Sequence, residues 1–237
     1  MLKYSNEQIK ADYPFRIELH AHTSPASGCA DLKPAEVIER FKNVGYDGTA
    51  ITNHFFIDCI DCQGKQEHID IFKRNYHEAL DAGEKYGVKI YLGAELRFKN
   101  ENDNDYLLYG FAEDELSDIY DTLNGTLEDF VKNYKKGSML LVQAHPFRNG
   151  MVRMNPDLLD GMEGFNLHPK HNGKVSMSAD YAFQHGKMMT VGTDYHHAGH
   201  EGFCATRTRI LPQNTAELVE ILKKEDFVID IGGKIVL

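Results

Sequence analysis

The sequence predicts an α/β fold, and three observations carry that reading. Short apolar runs alternate with longer helical patterns from one end of the chain to the other, as in repeated βα units built on parallel strands. Proline and glycine stand where the patterns change, Pro34 opening one helix and Gly45, Gly87 and Gly137 closing others. Several apolar runs end in histidine or carboxylate residues, at the carboxyl ends of strands where α/β folds place their active sites.

In chain order, Arg16-Ile17-Glu18-Leu19 reads as the first strand, and the stripe Val37, Ile38, Phe41 behind Pro34 as the first helix. Gly48-Thr49-Ala50-Ile51-Thr52 is the second strand. A long helix is expected from Gln66 to Tyr86, where Gly87 supplies the left-handed stop, and it feeds a third strand, Lys89-Ile90-Tyr91-Leu92. Tyr106-Leu107-Leu108-Tyr109 is the fourth strand. A helix around Thr126 to Tyr134 precedes Met139-Leu140-Leu141-Val142, whose unbroken apolar character marks a strand buried on both faces. Gly161 to Phe165 and Met188 to Val191 are the sixth and seventh strands, separated by a helix from about Val175 to His185. Beyond them Arg207 to Leu211 reads as extended, Asn214 as a helix cap and Phe227-Val228-Ile229 as a last extended run. No linker interrupts this series. A single barrel-like domain over residues 1–237 is expected, and a doubly wound open sheet would show the same periodicity.

Composition narrows the function. The formal charge is −10, from 26 basic and 36 acidic residues, and no cluster of lysine and arginine stands out. That excludes the electrostatic footprint of a duplex nucleic-acid binder, while a small anionic ligand can still meet positive charge supplied by metal ions. No apolar run approaches the roughly 18–20 residues of a membrane span, and the N-terminal stretch lacks the basic-then-apolar layout of a signal peptide, so a cytoplasmic protein with no membrane partner is expected. The four cysteines, Cys29, Cys59, Cys62 and Cys204, are too few for a disulfide framework in 237 residues and read as free thiols. The pair Cys59 and Cys62 has no second pair to complete a zinc site and reads as part of a polar loop.

The positions of the histidines carry more. The first strand ends in His20-Ala21-His22, and residues two apart in an extended segment point to the same side, so both imidazoles can reach one ion. The second strand ends in Asn53-His54, the third in Gly93-Ala94-Glu95, the fifth in Ala144-His145-Pro146 and the seventh in Gly192-Thr193-Asp194-Tyr195-His196, which repeats the two-residue spacing. A single histidine after a strand is commonly a solvated loop residue, and a single carboxylate commonly a helix cap. Five imidazoles and two carboxylates at equivalent positions indicate a metal cluster. The donors suit zinc, manganese or iron, and seven ligands exceed the need of one ion, so two or three divalent ions are expected. A cluster of this kind makes hydroxide at neutral pH and neutralises a phosphate-like transition state, which suggests hydrolysis.

Taken together and in this order, the elements His20-Ala21-His22-Thr23, Ile51-Thr52-Asn53-His54, Gly93-Ala94-Glu95, Ala144-His145-Pro146 and Gly192-Thr193-Asp194-Tyr195-His196 resemble the PHP (polymerase and histidinol phosphatase) domains. The resemblance implies a distorted seven-stranded (β/α) barrel, TIM-barrel-like, with its metal site at the C-terminal ends of the strands, and a phosphoesterase activity. It implies that His20, His22, Glu95 and Asp194 hold one ion, that Glu95 bridges to a second ion held by His145, and that His54 and His196 hold a third. Two ligands usual in the family have no counterpart: one position falls near Ser27 and the other near Tyr106, where Asp31, Asp105 or water are the available substitutes. Asn53 also stands where the family usually has an aspartate.

The expected reaction is attack of a metal-bridging hydroxide on the phosphorus of a small phosphomonoester, such as histidinol phosphate or a nucleotide, with Asp194 orienting it. Arg148, three residues after His145, is the candidate phosphate clamp, because its planar fork matches two phosphate oxygens. Arg97, His171 and His200 are further candidates for substrate contact; His168 and His197 lie in the same two loops. His68, His77 and His185 fall within helical patterns and are expected on exposed faces. Two other classes stay open: an amidohydrolase-type metal hydrolase, disfavoured by the lack of a strand-end lysine, and a non-catalytic metal-binding regulatory domain.

Overall fold

The computed structural model describes residues 5–236. Eleven strands and seven α-helices alternate along the chain: α1 (Asn6–Asp12), β1 (Phe15–Ala21), α2 (Pro34–Asn43), β2 (Gly48–Ile51), β3 (His54–Phe55), α3 (Lys65–Tyr86), β4 (Lys89–Leu96), β5 (Tyr106–Tyr109), α4 (Leu116–Thr122), α5 (Leu127–Asn133), β6 (Leu140–Gln143), β7 (Gly161–Asn166), α6 (Val175–Gln184), β8 (Met188–Gly192), β9 (Cys204–Thr208), α7 (Thr215–Lys223), β10 (Phe227–Ile231) and β11 (Lys234–Val236). The helix boundaries follow the sequence signals. Pro34 occupies the first turn of α2, Gly87 closes α3 in the left-handed conformation at φ 68°, and the Asn214 side chain accepts from the Glu217 N–H to cap α7.

All strands join one curled sheet in the order β11-β10-β9-β1-β2-β4-β5-β6-β7-β8, with β3 beside β4. Past β8, Tyr195 forms an isolated parallel bridge with Ala21, so the curl brings the end of the series back to β1. The expectation of seven strands is corrected to eleven among the described residues. The second strand breaks at Thr52 and Asn53 and resumes as the two-residue β3, while β9, β10 and β11 add an antiparallel wing to the first half of β1. The extended run expected at Arg207 to Leu211 lies earlier, at Cys204–Thr208, because its register is set by pairing Thr206, Arg207 and Thr208 with Ile17, Arg16 and Phe15.

The sheet is not wholly parallel. β5 pairs antiparallel with both β4 and β6, and no helix separates it from β4. Its amino-terminal end therefore reaches the rim at which β4 and β6 end, and Asp105 comes with it.

Two apolar layers hold this arrangement. Ile38, Phe72, Ala79, Leu92, Leu108, Leu141 and their neighbours join α2, α3, α4 and α5 to one face of the sheet. Ile17, Leu19, Ala50, Tyr91, Leu107 and Val142 form a second cluster with Leu218, Val219 and Leu222 of α7. In β1 the register shifts between Glu18 and Ala21. Such a bulge changes the parity of a strand and re-aims its side chains. Before it, Ile17 and Leu19 enter the second cluster; after it, Ala21 packs with Val37 and Phe41 of α2, and His20 and His22 take the opposite face.

Candidate metal centre

Ligand atoms bound about 2.1 Å from a tetrahedral ion stand about 3.4 Å from one another. The Nε2 of His20 is 3.2 Å from Glu95 Oε1 and 3.5 Å from Asp194 Oδ1, and the Nε2 of His22 is 3.4 Å from Glu95 Oε2 and 3.5 Å from the same Asp194 oxygen. The two imidazole nitrogens lie 3.0 Å apart, and both rings are fully buried. These separations are the edges of a metal-sized polyhedron.

Three groups of potential ligands overlap: His20, His22 and Glu95; Glu95, Asp105 and His145; and His22, His54 and His196. Glu95 is common to the first two. Its Oε1 also lies 3.3 Å from His145 Nε2, and its Oε2 lies 2.8 Å from His54 Nδ1 without hydrogen-bond geometry. Buried polar atoms are normally hydrogen-bonded. Here Glu95 Oε1 and His54 Nδ1 are buried without a partner among the described residues, as expected of groups arranged to bind something else.

Partners on the far side of each ring fix which nitrogen faces the centre. The His20 Nδ1–H donates to Glu163 Oε1 at 2.9 Å, the His22 Nδ1–H to Ser27 Oγ at 3.0 Å, and the His196 Nδ1–H to the Asp194 carbonyl at 2.8 Å. Each ring thus keeps a lone pair at Nε2, the arrangement that orients metal-binding histidines. Ser27 in turn donates to Asn53 Oδ1 and accepts from the His54 N–H, and Asn53 also accepts from the Thr23 N–H. Ser27 and Asn53 therefore brace the ligand loops.

The backbone is also shaped for this task. His145 (φ 29°) and Asp194 (φ 50°) both adopt the left-handed region, which non-glycine residues rarely enter and which concentrates at functional sites. Gly192 is required by close approach, since a Cβ there would lie 2.5 Å from His20 Cβ and 2.6 Å from Glu163 Oε1.

The electrostatics of the centre favour added positive charge. Burial disfavours the charged forms throughout, yet His20, with Glu163, Asp194 and Glu95 around it, is raised well above the usual imidazole range. Against the same desolvation, His20 and its fellow imidazoles hold Glu95 and Asp194 well below the carboxylate range. Burial, with His196 and His54 nearby, depresses His22. The carboxylates thus stay ionised, and a divalent cation held by them and the imidazoles would balance their charge in place of the proton on His20.

The expected ligands His20, His22, His54, Glu95, His145, Asp194 and His196 come together in this way. Asp105, beside Tyr106, joins Glu95 and His145 in a candidate ligand group, because β5 runs backwards and presents its start at the rim; Asp105 Oδ2 lies 3.6 Å from His145 Nε2. The hydroxyl of Tyr106 instead donates to Glu101, and Asp31 pairs with His197 at 2.6 Å. Arg97 spends its fork on Asp105, with contacts of 2.7 and 3.0 Å. Arg148 stands 3.5 Å from Asp105 Oδ2 and 3.7 Å from Asp194 Oδ2.

A cavity of about 270 Å³ opens above the cluster, with Arg97, Arg148, Lys170, His168 and His171 on its walls. His200 is not among its lining residues and packs edge-on against His168. His77 is exposed and pairs with Glu113, and His185 is exposed beside Tyr181. His68 is a correction: it is buried between the rings of Phe55 and Tyr120, because the segment after β3 folds over the start of α3.

Sequence reasoning missed Glu18, Glu163, Lys170 and the placement of Cys29. Glu18 and Glu163 sit inside otherwise apolar strands, a signal in itself, since a buried carboxylate needs partners. Glu18 Oε1 accepts from the backbone N–H groups of His20 and Thr193, and burial pushes its carboxyl up to about 7. Burial would raise the Cys29 thiol, yet hydrogen bonds with His196 and His54 bring it down to about 6.

Similarity to known proteins matches this geometry. The family model described as PHP domain matches residues 18–232. A PolC-type DNA polymerase III from Oceanobacillus iheyensis is 22% identical over 192 residues, and the chain spans 70% of itself but only 12% of that polymerase in the match. Among solved structures, a two-domain protein from Bacteroides vulgatus containing a predicted PHP-like metal-dependent phosphoesterase superposes with a TM-score of 0.65 at 12% identity, over 92% of this chain and 64% of that one. PsfC from Pseudomonas syringae gives 0.56 at 18% identity, over 86% and 87%. An amidohydrolase from Chromobacterium violaceum, with bound sulfate and no metal, gives 0.53 at 15%, over 90% and 97%. At these identities the superpositions speak for the fold.

Proposed function

The chain belongs to the PHP domain family, and from that premise we propose that it is a phosphoesterase that releases phosphate from a small phosphorylated substrate with two or three divalent ions, zinc, manganese or iron. The observation that carries this reading is the overlap of three ligand groups on shared Glu95 and His22, beneath a small cavity walled by cationic side chains. Divalent ions in such a cluster lower the pKa of water and neutralise charge on a phosphoryl group.

The chain's own residues do the positioning. Arg148 reaches over Asp105 and Asp194 and faces the cavity, where its two NH groups can grip two phosphate oxygens. Lys170 adds an exposed cation with no carboxylate partner among the described residues. Arg97 locks Asp105 in its bidentate grip and so orients a ligand instead of the substrate. Asn166 donates to Asp194 Oδ2 at 3.3 Å and to Glu163 Oε2 at 2.9 Å, which holds the Asp194 carboxylate toward the imidazoles. In the net reaction water gives its oxygen to phosphorus as the ester P–O bond breaks, and the departing alcohol takes up a proton. The four free thiols support a cytoplasmic setting.

The amidohydrolase-type alternative uses a strand-end lysine between its metals, whereas the one lysine on the cavity wall among the described residues, Lys170, is exposed and lies four residues past the end of β7. The non-catalytic alternative is weakened by Asp105, which stands with Glu95 and His145 where one of the two family ligands has no counterpart. The test is metal analysis followed by phosphate release from a panel of phosphomonoesters with Mn²⁺, Zn²⁺ or Fe²⁺. Absence of hydrolysis by protein shown to be loaded sinks the enzymatic reading.

A further inference from the structure

A second, larger cavity lies beside the metal centre. It is a groove of about 540 Å³, and its walls include Leu167, Pro169, Val175, Phe203 and Ile231. His168 and His171 line both this groove and the cavity over the metal ligands, so the two share a wall. Asn166, whose amide touches Asp194, also lines the groove. The groove thus begins one side chain away from a metal ligand.

The two spaces differ in chemistry. Imidazole, guanidinium, ammonium, carboxylate and thiol groups line the small cavity, and no aliphatic or phenyl side chain does. The groove presents aliphatic and aromatic side chains, among them Phe203, which is 43% exposed. The charged lining of the small cavity suits a phosphoryl group. The groove lies within the range of about 300–1,000 Å³ typical of pockets that receive organic ligands.

We propose that the groove receives the alcohol portion of the phosphoester, so that the substrate is a monoester of an apolar, ring- or chain-bearing alcohol instead of a polyol. This rests on the phosphoesterase reading and sharpens it. Phosphate gripped by Arg148 and Lys170 leaves one ester oxygen to exit past His168 and His171, and the group attached to it enters apolar surroundings. A hydroxyl-rich leaving group would give up water for a surface that is mainly apolar, with Asn172, Lys174 and the wall shared with the metal cavity as its few polar partners. An aryl or alkyl group gains instead from surface removed from water.

The test uses two non-hydrolysable probes with one head group, methylphosphonate and benzylphosphonate, titrated calorimetrically into the Mn²⁺-loaded protein. Burial of the ring should make benzylphosphonate bind at least about tenfold more tightly. Phe203→Ser and Val175→Ser alter partly exposed walls and should each lower that ratio about threefold or more without changing methylphosphonate affinity. Equal affinity for the two probes, or a ratio unchanged in both variants, overturns the proposal. Benzyl phosphate and methyl phosphate as substrates separate the two readings. A tighter benzylphosphonate with no release of phosphate from benzyl phosphate keeps the groove and removes the esterase. Equal kcat/KM on both esters keeps the esterase and removes the groove.

Discussion

Glu163 lies behind the ligand cluster, yet its replacement by glutamine should weaken the hold of that cluster on metal. The carboxylate is 1% exposed and accepts three hydrogen bonds, from His20 Nδ1, from the His145 backbone N–H and from Asn166 Nδ2, each at 2.9 Å. Glu163→Gln keeps the shape and turns one acceptor into a donor. If the new NH₂ faces His145, it meets two donors; if it faces His20, it meets one. The second arrangement is the less costly, and it forces the His20 proton from Nδ1 to Nε2, the nitrogen that faces Glu95 and Asp194. A buried donor left without its acceptor costs about 1–3 kcal/mol. Loss of an orienting carboxylate behind a metal-binding histidine lowers metal affinity about 10–100-fold. The assay is competition for Zn²⁺ or Mn²⁺ against a chromophoric chelator, with circular dichroism to verify folding. A folded Glu163→Gln protein whose affinity stays within about twofold of the parent would refute the view that this carboxylate sets the His20 tautomer.

Three further outcomes are expected. Gly192→Ala places a methyl group against His20 Cβ and Glu163 Oε1, so it should lower stability by about 1–3 kcal/mol in urea unfolding and reduce bound metal in the surviving fold; parental values on both counts contradict the close approach. Asp105→Asn should lose about one equivalent of metal by elemental analysis while the sites of His20 and His22 stay loaded, because only the group with Glu95 and His145 depends on it; unaltered stoichiometry removes Asp105 from the ligand set. His68 supplies a pH dependence: burial depresses its pKa to about 4, so the native state holds it neutral. Below the unfolded value near 6.5 the unfolded chain binds one more proton, and stability falls as pH drops from about 6.5 to about 4, by about 2 kcal/mol after allowance for solvent screening. His68→Phe, which keeps a ring between Phe55 and Tyr120, should flatten urea midpoints across that window, and an unchanged slope would assign the loss to other groups.

Much of this molecule is legible in its sequence because the responsible physics is local. Proline in the first turn of α2, glycine after α3 and asparagine before α7 act through the backbone within a few residues, and those boundaries are where the chain places them. The same holds for His20 and His22, whose two-residue spacing puts them on one side of an extended segment, and for the ligand-bearing ends of parallel strands. What depended on long-range pairing was not legible. Apolar periodicity shows that Tyr106 to Tyr109 is a strand but not its direction, and only its antiparallel pairing with β4 and β6 brings Asp105 to the metal rim. Periodicity likewise could not count β9 to β11 as a wing on β1, nor tell that His68 is covered by the segment after β3. Glu18 and Glu163 announce themselves as charges in apolar strands, but their partners, the His20, Thr193 and His145 backbone amides, come from strands far apart in the chain. The sequence by itself determined which side chains could bind metal. The tertiary structure decided which nitrogen of each ring faces the centre and which carboxylate joins it, because tautomer and ligand geometry are set by hydrogen bonds that exist only once distant strands lie side by side.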